Sequence, residues 1–528
     1  MTQQACIVKN LSVQFTHEAL FQQLNFQLPY AQCSALIGRN GQGKSVLMSL
    51  LNQIQQPSYA SGEVNWQTNF SYLTQFERLS KGSIAEALDV AELYACFQRI
   101  EQTTASFDDY DHVEHAWHQP IEWQQLLESA NLPTDLSTSV KQLSEGQKTK
   151  LALCRLFLRT DDYLLLDEPS NHLDSESREW LSHKILQHPS GCLVISHDRK
   201  LLNQISNTFV LNNFGLHYFH CHYDEYQMQV EQQTQALQRD VTQEKRELKQ
   251  RQVQQHQQLM KAQKRQKTGQ KLRDSGSQAK ILLDFKKERA SQTQSGMAQQ
   301  QLRQKQQAQQ ELKYKQQQLE HIKSQRFIFN FPQKQTGEIL RLKDVVLPYS
   351  SATPISLALS SGDKIQLRGR NGSGKSTLLR IINGDHFAQS GEILKRASSL
   401  YLDQNFSLLQ AELNAISNIQ LFNATLSDEE CRNQLGQLRI RRDKSLLPVS
   451  ALSGGEQLKV ALLCISLSTQ PVDLLLLDEP ENHLDIESKL LFAQAILDFK
   501  GAAILVSHDE QFVEDSHIQM HFDLTQSR

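Results

Sequence analysis

The chain has 528 residues, of which 39% are hydrophobic and 21% charged, with a formal net charge of -3 at pH 7. That length allows two or three domains with their own cores, and the composition is ordinary for a globular protein. The longest apolar runs, such as VALLCISL (460–467), fall short of the roughly 18–20 residues a membrane helix needs. The amino terminus, MTQQACIVKNLSVQF, has no basic stretch followed by an apolar block, so no secretory signal is expected. Eight cysteines stand singly with no CxxC pair, which predicts reduced, packed thiols in a cytoplasmic protein. The cluster His217, His220, Cys221 and His222 reads as strand and turn residues before it reads as a metal site.

Residues 31–49, AQCSALIGRNGQGKSVLMS, predict a strand, a glycine-rich loop and a helix, and match G-x-x-x-x-G-K-[ST]. In such a loop Gly38, Gly41 and Gly43 let backbone N–H groups curl around phosphates, and the helix amino end adds partial positive charge. Asn40, Lys44, Ser45 and Val46 complete the candidate phosphate-binding set, with Lys44 at the β/γ-phosphates and Ser45 placed for Mg²⁺. Further on, the buried-strand run YLLLDE delivers Asp167 toward the metal and Glu168 toward an attacking water. CLVISHD then ends an apolar strand on His197, within reach of a γ-phosphate.

Between the globular parts lies a segment of different composition, residues 227–330. Gln227 to Thr268 contains neither Gly nor Pro, and Gln, Lys, Arg and Glu dominate. Two long helices folded back as an arm are expected, with breaks at Gly269, at DSGS (274–277) and at SQTQSG (291–296). Residues 251–290 carry a net charge of +8, concentrated in stretches such as KAQKRQKTGQKLR (261–273). A phosphate polymer gains from such a patch by counterion release. Few aromatics accompany it, so shape and backbone contacts to folded RNA fit better than base stacking.

After the arm the chain repeats itself. GDKIQLRGRNGSGKSTLLR (362–380) restates the first loop, placing Gly369, Asn371, Gly372, Gly374, Lys375, Ser376 and Thr377. LLLLDE ends on Asp478 and Glu479, and AILVSHD on His508. Gly38 and Gly369 lie 331 residues apart, whereas His197 and His508 lie 311 apart. The first copy is therefore longer by about twenty residues between Gln75 and Ser144. A repeat this long is a duplicated domain, not a solenoid.

The loops and acids, together with LSEGQ (143–147) and LSGGE (452–456) ahead of each acidic strand, resemble the ATP-binding cassette ATPases over both globular parts. Two fused cassettes, NHLD after both DEP motifs and a long charged linker resemble the F type of that family. The resemblance implies an α/β fold: two P-loop cassette domains, each a mixed sheet core with a helical subdomain, joined by a helical-hairpin linker. The implied domains are 1–226, 227–330 and 331–528. It implies ATP and Mg²⁺ as ligands, with Gln75 and Gln404 also at the metal and Phe15 and Tyr349 stacked on adenine. It implies a monomer with cassettes paired head to tail, Ser144 and Gly146 completing the Lys375 site, and Ser453, Gly454 and Gly455 the Lys44 site. Glu145 stands where the signature has its first glycine, so unequal turnover at the two sites is expected.

Proteins of this type bind the ribosome at its tRNA exit site and point the linker toward the P-site tRNA and peptidyl-transferase centre, as translation factors or as antibiotic-resistance proteins. The function implied is thus an ATPase acting on the ribosome, with residues 251–290 touching ribosomal RNA and tRNA. The alternative is a regulatory or transport ATPase whose arm binds a protein partner or DNA.

Overall fold

The computed structural model describes residues 3–14, 19–52, 59–73, 82–171, 173–212, 214–274, 303, 306–316, 318–319, 337–348, 354–369, 372–482 and 484–524. The chain divides into two compact units, Met1–Tyr223 together with Gln325–Arg528, and Asp224–Ser324. The first unit holds both copies of the repeat, and each copy builds the same pair of sheets.

In the first cassette the central sheet runs, in spatial order, Phe70–Leu73, Tyr163–Asp167, Cys192–Ile195, Cys33–Ile37, Asn207–Asn212 and Gly215–His220. All neighbours are parallel except the last pair, which is antiparallel. The second cassette orders Ser399–Asp403, Leu474–Asp478, Ala502–Val506, Lys364–Arg368 and Met520–Asp523 in the same way. Tyr163–Asp167 is buried at every position, and only Asp478 of Leu474–Asp478 reaches the edge of the core. Enclosure on both faces explains why these strands read as continuous apolar runs without alternation. An antiparallel three-stranded sheet completes each cassette, Ala19–Pro29, Gln4–Gln14 and Ala60–Trp66 in the first.

Helix Lys44–Asn52 lies on this core through Leu47, Met48, Leu50 and Leu51, the i, i+3, i+4 spacing of one helix face. Burying each such side chain contributes roughly 1.5–3 kcal/mol, so the phosphate loop is anchored between a buried strand and a buried helix. Leu378, Leu379, Ile381 and Ile382 do the same for Lys375–Asn383.

The first cassette's extra length contains two helices, Ala91–Glu101 and Phe107–Val113. Ser106 caps the second in a reciprocal box with Asp109, and the Arg99 Nε donates to both Asp109 oxygens at 3.1 Å. The guanidinium, helped by the Ser106 donors, holds the Asp109 carboxyl well below the usual range.

The other unit is dominated by one helix, Tyr223–Asp274, 52 residues long. Asp224 and Glu225 in its first turn face the positive end of the helix dipole. Thr234 and Thr242 return their hydroxyls to the carbonyls of Val230 and Gln238, each at 2.7 Å, so neither seeks a distant partner. Gly269 does not interrupt the helix, contrary to the break expected there; a single glycine costs about 1 kcal/mol against a long run of strong helix formers. Lys315 forms an ion pair with Glu244, so helical residues 306–316 fold back beside the first helix. Lys261, Lys264 and Lys267 are exposed. Residues 275–290 of the basic stretch lie outside the described residues.

Candidate functional site

Each glycine-rich loop leaves the carboxyl end of a central strand. Gly43 and Gly374 have φ of 91° and 95°, and a Cβ there would come within 2.5 Å of Leu20 Cδ2 and 2.7 Å of Leu347 Cδ1. Both the left-handed backbone and the close packing call for glycine. The next residue, Lys44 or Lys375, is buried, each 7% exposed. Lys44 Nζ donates to the Gly38 carbonyl at 2.7 Å, the Arg39 carbonyl at 3.2 Å and Asn40 Oδ1 at 3.4 Å; Lys375 Nζ donates to the Gly369 carbonyl at 2.8 Å. Burial lowers the proton affinity of both lysines, and surrounding carboxylates oppose it. For Lys44 these are Glu168, Asp485 and Asp167; for Lys375 they are Glu479, Asp478 and Asp174.

One carboxylate in each set comes from the opposite cassette. Asp485 caps helix Ile486–Asp498 by accepting from the Ser488 N–H at 2.8 Å, and its other oxygen accepts from the Asn40 N–H at 2.8 Å. Asp174 caps Ser175–Leu186 in the same way, with Ser177 N–H at 3.0 Å. Further bonds join the cassettes: Arg199 to Asp515 at 2.9 Å, Lys200 to Glu510, and Lys489 Nζ to the His197 carbonyl at 3.4 Å.

The strand-borne acids sit beside the loop hydroxyls. Ser376 Oγ donates to Asp478 Oδ1 at 3.0 Å, and the Tyr401 hydroxyl donates to Asp478 Oδ2 at 2.7 Å. Ser45 hydrogen-bonds Asp167, whose carboxyl is pushed up by burial despite Ser45 and Lys44. Asp167 Oδ1 is buried with no hydrogen-bond partner among the described residues. A hydroxyl and a buried carboxylate oxygen with spare acceptor capacity are hard donors that fit Mg²⁺.

Glu168 and Glu479 follow with φ of 52° and 48°, the left-handed region. That conformation costs a non-glycine residue roughly 1–3 kcal/mol and is concentrated at functional sites. It is held by Glu168 N–H to the Ile195 carbonyl and Glu479 N–H to the Val506 carbonyl, both at 3.0 Å. His197 Nε2 lies 3.2 Å from Glu168 Oε1, and His508 Nε2 lies 3.6 Å from Glu479 Oε1. Burial pushes Glu168 up to about 7, opposed by Lys44. Burial, reinforced by Lys44, holds His197 well below 6.5, so the imidazole is neutral. Burial and Lys375 lower His508 also.

The signature residues take a structural part first. Ser144 caps Glu145–Phe157, accepting from Gln147 N–H at 3.3 Å while Gln147 Oε1 accepts from Ser144 N–H at 2.9 Å. Ser453 donates its hydroxyl to Glu456 Oε2 at 3.0 Å at the start of Gly454–Ser466. Gly146 lies in the first turn of its helix, and Gly455 packs so tightly that a Cβ would come 2.5 Å from Ser488 Oγ. Val46 packs on the first core, Thr377 lies in the helix after the second loop, and Gln404 follows strand Ser399–Asp403. Phe15, Gln75, Tyr349 and Asn371, and the Glu145 side chain, lie outside the described residues.

Asp174 and Asp485 were not among the expected site residues, although both end the repeated NHLD; a helix cap and a loop partner look alike in sequence. Among the described residues no cluster of three or more His, Cys, Asp or Glu could hold a metal ion, and His220 Nδ1 instead lies 3.0 Å from Asn207 Oδ1. The cysteines are free, and all but Cys33 are buried.

The family model described as ABC transporter matches this chain twice, at residues 21–171 and 352–482. The ATP-binding protein YdiF of Bacillus subtilis (strain 168) is 29% identical over 541 residues, covering 96% of this chain and 78% of that protein. ATP-binding cassette sub-family F member 3 of Mus musculus is 28% identical, covering 96% of this chain and 69% of that protein. Among solved structures, the archaeal ribosome recycling factor aABCE1, crystallised with ribosomal stalk protein aP1, superposes with a TM-score of 0.57. Its 17% identity, over 96% of this chain and 86% of that one, bears on the fold alone.

Proposed function

Since this chain belongs to the ABC transporter family, as a tandem-cassette member of the F type, we propose that it is an ATPase that closes on two ATP molecules and acts on the ribosome. The observation that carries the ATPase half is that each buried loop lysine is held on its own loop carbonyls, Lys44 on Gly38 and Lys375 on Gly369, with Asp485 of the opposite cassette bonded to the first loop through the Asn40 N–H.

In this reading the loop N–H groups and Lys44 or Lys375 hold the phosphates, and Ser453 or Ser144 of the opposite signature completes each site. Ser45 with Asp167, and Ser376 with Asp478, would hold Mg²⁺, which supplies charge neutralisation at the β- and γ-phosphates. Gln75 and Gln404 join them, and Phe15 and Tyr349 stack on adenine. Glu168 and Glu479 orient a water and accept its proton; a carboxylate raised to about 7 is matched to that task near neutral pH. Neutral His197 donates from Nε2 toward the γ-phosphate, and His508 does so in the other site. Because γ-phosphate contacts form only across closed cassettes, ATP favours closure and hydrolysis favours opening.

The ribosomal half rests on the resemblance to the F type and on the basic arm. The arm, residues 251–290, is assigned to ribosomal RNA and tRNA near the tRNA exit site and the peptidyl-transferase centre. Translation control or antibiotic resistance would follow from which contacts it makes there. Among the described residues no helix is long and apolar enough to cross a membrane, so a transport role would need a separate membrane subunit. The test is co-sedimentation with ribosomes of a Glu168→Gln, Glu479→Gln double variant in ATP. Enrichment over the parent chain is expected; equal or lower recovery would sink the ribosomal assignment.

A further inference from the structure

The contact between the first phosphate loop and the second cassette has a charged core. Arg39, inside the loop, engages Glu487 through Nε at 2.5 Å and Nη2 at 3.2 Å. Glu487 sits in the first turn of Ile486–Asp498, two residues after the Asp485 that takes the Asn40 N–H. The Glu487 Oε1 that takes Arg39 Nη2 also meets Arg439 Nη1 at 3.5 Å. All three are largely sheltered, with side-chain exposures of 30% for Arg39, 20% for Glu487 and 24% for Arg439.

Arg439 follows helix Asp428–Gln437 of the second helical subdomain with a left-handed φ of 62°, and Ile440 N–H closes that helix on the Leu435 carbonyl. The same closure occurs in the first cassette at Asn131, φ 52°, where Leu132 N–H returns to the Leu127 carbonyl. Asn131 Nδ2 there donates to Glu176 Oε1 at 3.3 Å, the counterpart of the Arg439–Glu487 contact. An amide thus stands where the second cassette has a guanidinium.

We infer that Arg39, Glu487 and Arg439 form an ionic latch that positions the first phosphate loop against the second helical subdomain and makes the Lys44 site the tighter of the two for ATP. One carboxylate shared by two guanidiniums leaves a net positive charge beside the loop, which favours a polyphosphate. The Glu487–Arg439 contact lies within the second cassette and the Arg39–Glu487 contact crosses to the first, so the latch is complete where the two cassettes meet. Glu487 and Arg439 are positioning residues, acting on the nucleotide through Arg39 and the loop. The inference rests on the ATPase reading given above.

The test is a double-mutant cycle in the full chain, with Lys375→Ala removing the second loop lysine so that the Lys44 site reports. Binding of an ATP analogue carrying a fluorophore on its ribose is measured for Arg39→Gln, Glu487→Gln and both together. Each single change should weaken binding roughly fivefold, with the double no weaker than the worse single, the signature of coupled neighbours. Arg439→Asn should give a smaller loss, and Glu176→Gln, measured with Lys44→Ala in place of Lys375→Ala, less than a twofold one. Additive losses in the double variant, or a Glu176→Gln effect equal to that of Glu487→Gln, would overturn the latch. The same cycle run on thermal unfolding without nucleotide separates the two readings: coupling there with no analogue binding by the parent would overturn the ATPase assignment and the ATP role of the latch together, while leaving the ion network itself standing.

Discussion

The two carboxylate–imidazole pairs come from nearly identical sequence, yet the first is drier. Glu168 and His197 are 9% and 11% exposed and 3.2 Å apart, against 31% and 19% for Glu479 and His508 at 3.6 Å. Local motif chemistry sets which groups meet, and packing around them sets how much water reaches each pair. Burial, with the Asp167 carboxylate beside it, lifts Glu168 to about 7. Two copies of one motif can therefore differ in exposure although the carboxylate and the imidazole are the same in both.

Removing the carboxylates is the harshest way to probe that contrast. Glu168→Gln with Glu479→Gln should lower ATP turnover by at least about a hundredfold, the scale of a lost general base; retention of more than a tenth of the activity would remove both from the proton-accepting role. The single variants then isolate each site. With Glu479→Gln only the Lys44 site turns over, and Glu168 must be ionised to accept a proton. Turnover there should rise severalfold between pH 6 and 8 with a midpoint near 7, as its raised value requires. A flat profile over that range would break the comparison.

A buried acid found in one cassette offers a smaller effect. Glu481, where the first cassette has Ser170, accepts from the Ser507 hydroxyl and is 2% exposed. Burial raises it from 4.5 to about 7. The folded chain therefore holds this proton more tightly than the unfolded chain does, and the stability it contributes is lost as pH climbs from 4.5 through 7. Glu481→Gln should flatten that decline, by on the order of 3 kcal/mol at the upper end, in melts across this window; parallel curves for the two proteins would refute it. Smallest of all, Lys200→Gln should cost under about 1 kcal/mol because its partner Glu510 is as exposed as it is. Arg199→Gln, whose pair with Asp515 is only 15–20% exposed, should cost more in the same melts. The reverse order would mean that the interface is wetter than its geometry suggests.

What could be read in advance was whatever is contiguous in the chain. The phosphate loops, the acid-tipped strands and the histidines each need a few neighbouring residues with one backbone geometry, so their spacing alone predicts strand, loop and helix. The duplicated fold followed because the motifs recur in order. The cross-cassette partners were hidden for the opposite reason: Arg39 meets Glu487 across 448 positions and Asn40 meets Asp485 across 445. Nothing local marks a glutamate in a helix's first turn as anything but a dipole-matching residue. The split between a dry and a wetter site was equally hidden, because burial is a property of the assembled core. Gly269 misled in the other direction, since a residue that breaks short helices is absorbed by a long one.

The 52 residues of Tyr223–Asp274, at 1.5 Å of rise each, make a rod about 78 Å long. Turned by a single degree about its first residue, such a rod sweeps its far end sideways by more than the radius of a hydrogen atom, about 1.4 Å. A small angular change at one end of the helix is thereby magnified into a displacement of more than an ångström at the other. Uninterrupted helicity in this stretch is a mechanical gain factor, and Pro placed near residue 245 would reduce it without touching either phosphate loop.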